Sequence, residues 1–167
     1  MADGLVSVSR HIEAPAERLF ALLADSANHP LIDGSGMVRE PAPAVRLSGT
    51  GDVFRMNMYH ADRGAYQMRN EVVEYQAGHR LAWEPVRVEV VASGPGEQEV
   101  TGEPAWFRWR FELSPDGAGA AVVTETFDCS RSPEELREAV RDGEEWRDAM
   151  TASLVKLELL ARAVGPA

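Results

Sequence analysis

A chain of 167 residues that is 44% hydrophobic and 26% charged is long enough to bury a core of its own without a disulfide or metal staple. Its net charge of −10, from 27 acidic and 17 basic residues, excludes a sequence-independent nucleic-acid binder and argues against docking on anionic lipid. The single cysteine, Cys129, excludes an intrachain disulfide, and the four histidines (His11, His29, His60, His79) show no metal-ligand spacing, so no metal or cofactor is expected.

Leu5 to Glu13 alternate apolar and polar residues and predict a strand. Pro15 opens a short helix whose Leu19, Phe20, Leu22 and Leu23 share a face, and a second short helix or turn covers Ser26 to Ile32. Residues 33–44 hold glycines and prolines and predict a loop. Six more strands follow: Val45–Leu47, Asp52–His60, Tyr66–Tyr75, Arg80 through Val91, Trp106–Leu113 and Ala121–Phe127. Between the fifth and sixth strands, residues 93–104 are rich in Gly, Pro and Glu and read as a solvated loop or a mobile lid. Tight turns join most of the strands, so the sheet is expected to be antiparallel. A final helix is predicted from Pro133 to about Val164, with a Ser132–Glu135 capping box and a stop at Gly165-Pro166. The whole chain, 1–167, reads as a single α+β domain. Met1-Ala2-Asp3-Gly4 has neither the charge nor the apolar run of a secretory signal, so a cytoplasmic address without membrane insertion is expected. Lys156 is the only lysine, and the arginine- and alanine-rich usage fits a GC-rich bacterial genome.

Alternation within strands sorts side chains by face. The candidate inward residues are Phe54, Met56 and Met58; Tyr66, Met68, Asn70 and Val72; and Leu81 and Trp83. From the last two strands they are Phe107, Trp109, Phe111 and Leu113, and Ala121, Val123, Glu125 and Phe127. An Ala77-Gly78 turn would pair Val72 with Trp83, and an Ala61–Ala65 turn would pair Met58 with Met68. A turn from Ser114 to Ala120 would pair Trp109 with Glu125. On the last helix Gly143, Trp146, Met150, Leu154 and Leu157 recur at three- and four-residue steps. Gly143 marks a bend, a close approach or neutral drift. Arg108, Arg110 and Glu112 fall on the opposite face as a solvated, salt-bridged surface.

The segments Val8–Phe20, Gly51–Arg55, Trp109–Leu113 and Val123–Asp128 stand in the order and spacing of a known family opening and core. On these the chain resembles the START-like (SRPBCC) superfamily and, within it, the polyketide cyclase/dehydrase branch. His29-Pro30-Leu31-Ile32-Asp33-Gly34-Ser35-Gly36 is similar to a subgroup signature. The resemblance implies a helix-grip fold: a seven-stranded antiparallel sheet wrapped around the long C-terminal helix, two short helices after the first strand, and a cavity in between. It also implies a small apolar or aromatic ligand, lipid- or polyketide-like.

The expected pocket is built from Phe54, Met56, Met58, Tyr66, Met68 and Asn70 on one side. Trp83, Trp109, Phe111, Trp146, Met150 and Leu154 complete it. Methionine and tryptophan suit an adaptable apolar pocket, although ordinary core packing uses the same residues. Glu125 is either a carboxylate in a salt bridge at the strand end, a structural glutamate typical of the family, or a general acid/base in the pocket, because an inward carboxylate must be paired or carry a raised pKa. His60 is either an acid/base at the pocket mouth or a solvated turn residue. Asp33-Gly34-Ser35-Gly36 lacks the lysine of a phosphate loop and reads as a turn closing the pocket entrance. Three functions stay open: a ligand-binding module, a cyclase or dehydratase using Glu125 or His60, and a stress or co-chaperone-like module with a filled core. Monomer and homodimer are equally open.

Overall fold

The computed structural model describes the backbone of residues 3–93 and 96–164. The expected helix stop at Gly165-Pro166 lies outside them. The first strand, β1 (Leu5–Ile12), buries Val6 and Ile12 on one face. Pro15 then caps α1 (Ala16–Leu23), which buries Ala16, Leu19, Phe20 and Leu23. A 3-10 turn over Ser26–Asn28 leads into α2 (His29–Ile32). The remaining strands are β2 (Val38–Pro41), β3 (Val53–His60), β4 (Gly64–Gln76), β5 (Arg80–Ser93), β6 (Gly96–Thr101), β7 (Arg108–Pro115) and β8 (Ala121–Asp128). The chain closes with α3 (Glu134–Ala139), a 3-10 turn over Arg141–Trp146, and α4 (Arg147–Val164).

The strands form one antiparallel eight-stranded sheet in the order β1-β8-β7-β5-β4-β3-β2, with β6 paired to β5 off that path. The concave face buries Phe54, Val72, Leu81, Phe111 and Val123 against α1 and α4. From α4, Met150, Leu154, Leu157 and Ala161 are buried, and the helix packs on β1 and α2. This is the helix-grip arrangement, with eight strands where the sequence reading predicts seven.

Four differences have physical reasons. First, Val45–Leu47 is not a strand. Its carbonyl and amide groups bond instead to the chain after α1, through Ser26 N–Val45 O at 3.0 Å and Leu47 N–Ala24 O at 2.7 Å. The edge strand is β2, inside the segment read as loop, and its Pro41 is tolerated because an edge needs fewer donors. Second, Gly96–Thr101 is a strand, not a loop or lid. It pairs with β5 from Val88↔Thr101 to Ser93↔Gly96, and Glu99 forms an ion pair with Arg55 on β3. Glu99, Val100 and Thr101 are all exposed, so the burial alternation that signals a strand is missing.

Third, two turns are shorter than predicted. His60 pairs with Gly64 and Pro115 with Ala121. Each register therefore moves by an even step: faces are kept and partners change. Met56 lies opposite Met68, Met58 opposite Tyr66, and Glu125 opposite Phe111, not Trp109. Val72 does face Trp83, but a longer turn (Gln76↔Arg80) and a bulge at Val73 offset each other.

Fourth, the final helix is interrupted. Asp142 (φ 53°) and Gly143 (φ 94°) leave helical geometry. Ser132 makes no capping bond; its Oγ donates to Ala105 O at 2.6 Å, tying the helix entry to the approach to β7. Gly143 is both a bend and a close approach. A Cβ there would sit 2.9 Å from Phe127 Cδ1 and 3.0 Å from Val6 Cγ2. Only glycine combines that space with that φ at little cost.

The convex face carries the expected ion pairs with partly different partners. Glu74 accepts from Arg110 at 2.8 Å and from Arg108 at 3.4 Å. Arg108 also donates to Glu84 at 2.7 Å, and Glu112 accepts from Arg80 at 3.2 Å.

Candidate functional site

A cavity of about 340 Å³ lies between the concave sheet face, α2 and α4. Alternation on β3 sends Phe54, Met56 and Met58 into its wall, and β4 sends Tyr66, Met68 and Asn70. Trp83, Trp109 and Phe111 continue the wall across β5 and β7, and Trp146 and Met150 close it from the helical side. Leu154 is not part of the wall; it points into the main core with Leu157. His60 is not there either. It sits at the β3–β4 turn, where its Nδ1 accepts a bond from Asp62 N at 3.1 Å.

Several wall residues that the sequence reading does not single out come from α2 and the turn after it. His29 is the main one. Its ring stacks on Trp83 at 5.2 Å and 26°, and meets Phe54 edge-on at 5.2 Å. Nε2 lies 2.8 Å from Leu23 O; a carbonyl only accepts, so Nε2 carries the hydrogen. Burial lowers the His29 pKa, partly offset by that bond and by Asp25 and Asp33. The ring is therefore a neutral aromatic wall. A lone histidine in a four-residue helix offers no sequence signal for this placement.

Two aromatic groups flank the space. One joins His29, Phe54, Trp83 and Phe111, with Trp83 and Phe111 stacked at 5.8 Å. The other joins Phe107, Trp109, Phe127 and Trp146, with Trp109 and Phe127 at 4.7 Å and Trp109 and Trp146 at 5.8 Å. The bend at Gly143 swings Trp146 into the second group. Methionines fill the wall between them, and their flexible thioethers adapt to ligand shape.

Glu125 is the buried carboxyl of this wall, 5% exposed. Its Oε2 has no hydrogen-bond partner among the described residues. Burial pushes its pKa well above the usual carboxylate range, and the negative charge of Asp33 adds to the shift. The shift favours the protonated form, a carboxylic acid that can donate. The salt-bridge alternative fails, since no arginine or lysine reaches it among the described residues. Asn70, also buried, is committed to the backbone: its Nδ2 donates to Phe54 O at 3.3 Å.

The Asp33–Val38 segment closes one side of the cavity through Asp33, Ser35, Met37 and Val38. It is a clamped turn. Asp33 Oδ1 accepts from Ser35 N and Oγ at 3.0 and 2.7 Å, and Oδ2 accepts from Val38 N at 3.1 Å. Gly34 N donates to Ser153 Oγ at 2.9 Å, and a Cβ on Gly34 would lie 2.1 Å from Ala149 O. The turn can dock on α4 only because residue 34 has no side chain.

Arg63, Tyr66 and Arg87 edge the cavity, with the Arg87 guanidinium 5.2 Å over the Tyr66 ring. Met58, Tyr66 and Arg87 also border a larger, open groove of about 810 Å³ lined by polar residues such as Arg39, Asn57 and Gln67. The smaller space is the candidate site, because it is the more enclosed and has the aromatic wall. Among the described residues no three His, Cys, Asp or Glu converge to hold a metal ion. No described helix is long and apolar enough to cross a membrane.

The family model for polyketide cyclase/dehydrase and lipid transport proteins matches residues 4–159. The uncharacterised protein Rv0088 of Mycobacterium tuberculosis (strain H37Rv) is 29% identical over 127 residues, 75% of this chain and 47% of that protein. The protein MT0096 of strain CDC 1551 is 32% identical over the same shares. The chain thus spans about half the length of the curated relatives it matches. Among solved structures, a Rhodobacter sphaeroides protein is 18% identical, with a TM-score of 0.67 over 98% of this chain and 95% of that one. CV1439 of Chromobacterium violaceum is 16% identical, with a TM-score of 0.62 over 95% and 96%. DynU16, from the dynemicin biosynthetic locus, is 16% identical, with a TM-score of 0.58 over 98% of this chain and 49% of its own. At these identities the structural likeness speaks for the fold alone.

Proposed function

Because the chain belongs to the polyketide cyclase/dehydrase and lipid transport family, we propose that it binds one small apolar or aromatic molecule in the cavity under α4. The observation that carries this reading is a concave space of about 340 Å³ between two aromatic groups. A ligand of about 14 heavy atoms at about −0.5 kcal/mol per atom would reach about −7 kcal/mol, a Kd near 10 μM. The test is to fill the space. Met68→Trp puts an indole into it and is expected to weaken binding of fluorene at least tenfold by calorimetry, with cooperative unfolding retained. Undiminished binding would put the site elsewhere.

A second reading, proton transfer in a cyclisation or dehydration, is favoured by Glu125 in the same wall, whose Oε2 has no partner among the described residues and whose pKa burial raises. As general acid it would give its proton to a departing hydroxyl or a carbonyl oxygen of the ligand. Glu125→Gln is then expected to lower turnover of a hydroxy-ketone substrate at least 100-fold while binding of neutral ligands changes only a few-fold. Unchanged turnover would exclude it.

A further inference from the structure

Among the described residues, three buried side-chain polar atoms have no hydrogen-bond partner: Arg87 Nε, Glu125 Oε2 and Trp146 Nε1. Arg87 Nε lies 3.7 Å from Glu89 and so has an ionic neighbour. The other two belong to one wall, that of the cavity. A buried polar group left unpaired costs about 1–3 kcal/mol, so two in one wall are a specific feature and not background.

Their positions are related. Glu125 and Phe127 share a face of β8, about 7 Å apart along the strand. The Trp146 ring centroid is 6.1 Å from that of Phe127. Phe127 itself is fully buried, so its ring spaces the two groups and a ligand reaching both lies in the cavity beside them. The indole N–H can only donate. A protonated carboxyl donates through its O–H. The two serines in the same wall are not available: Ser153 Oγ accepts from Gly34 N and donates to Ala149 O, and Ser35 Oγ donates to Asp33 Oδ1 and accepts from Met37 N.

We propose that Glu125 and Trp146 are a pair of specificity-determining donors, and that the cavity selects neutral ring ligands bearing an acceptor oxygen over hydrocarbons of the same shape. This rests on the ligand-binding reading above and adds the chemistry of the ligand's inner end. An anionic group does not fit there, because it would enter beside Asp33, whose negative charge already opposes ionisation of Glu125. The pair ranks ligands by what they leave unsatisfied. A ketone oxygen pairs a donor, and a hydrocarbon strands both.

The test uses 9-fluorenone and fluorene, one tricyclic skeleton with and without a carbonyl, titrated calorimetrically into the intact protein. Fluorenone is expected to bind about tenfold more tightly. Glu125→Gln keeps an N–H donor and should keep the preference. The double variant Glu125→Leu/Trp146→Phe, which keeps an apolar wall without either donor, should bind the two alike. Equal affinity for both ligands in the unchanged protein, or a preference that survives the double variant, would overturn the donor pair and leave the pocket standing. Binding of neither ligand would overturn both readings.

Discussion

Glu125 couples the site to stability through a single proton. Below the ordinary carboxylate value of 4.5 the folded and unfolded chains both hold it. Above that value the unfolded chain releases the proton and the folded chain keeps it. Stability then falls by about 1.4 kcal/mol per pH unit until the raised folded pKa is reached. Glu125→Gln has no such slope. Its stability advantage over the unchanged protein is expected to widen between pH 5 and pH 7 in urea unfolding. A constant difference would mean that Glu125 titrates normally. His29, buried and neutral, acts with the opposite sign, but it is present in both proteins and drops out of the comparison. Much of this wall was legible in the sequence, because period-two alternation assigns faces even where partners are wrong. Glu125 could be read as inward from its neighbours Val123 and Phe127. Arg87 shares the parity of Trp83 on β5 and so falls on the same face, whereas His29 and Asp33 could not be placed, because their position depends on how α2 and the turn after it fold over the sheet.

At the scale of elements, the errors of reading share one cause. Turn lengths change in steps that preserve alternation, so the faces of β3, β4, β7 and β8 survive a register error of two. The strand β6 and the break before α4 do not announce themselves. The first shows no burial alternation at its exposed end, where Val100 is as open as Glu99 and Thr101, and the second hides in a sequence whose apolar spacing continues across it. Gly143 is the residue that makes the break tolerable, and a Cβ there would run into Phe127 and Val6. Gly143→Ala meets both a left-handed φ and an overlap at 2.9 Å, so it is expected to cost about 1–3 kcal/mol. For a chain of this size that is about 2–4 °C of Tm per kcal/mol by calorimetry. An unchanged Tm would mean the bend relaxes freely.

At the scale of the molecule, charge and apolar surface are segregated by the sheet. The convex face carries the Glu74, Glu84 and Glu112 pairs with Arg80, Arg108 and Arg110, while the concave face holds the aromatic wall. The fold as a whole followed from strand patterning and resemblance. The cavity did not, because a hollow and a filled core draw on the same methionines and tryptophans. The four tryptophans now divide cleanly: Trp83, Trp109 and Trp146 line the cavity, and Trp106 lies outside it, 45% exposed beside Arg131. Titrating tryptophan emission with 9-fluorenone, in the unchanged protein and in Trp106→Phe, asks whether the cavity takes a ligand. Saturable quenching at one equivalent is predicted, with the same Kd in both proteins and a residual emission that nearly vanishes in Trp106→Phe. Quenching that stays linear in ligand, or whose saturable part disappears with Trp106, would contradict binding in the cavity.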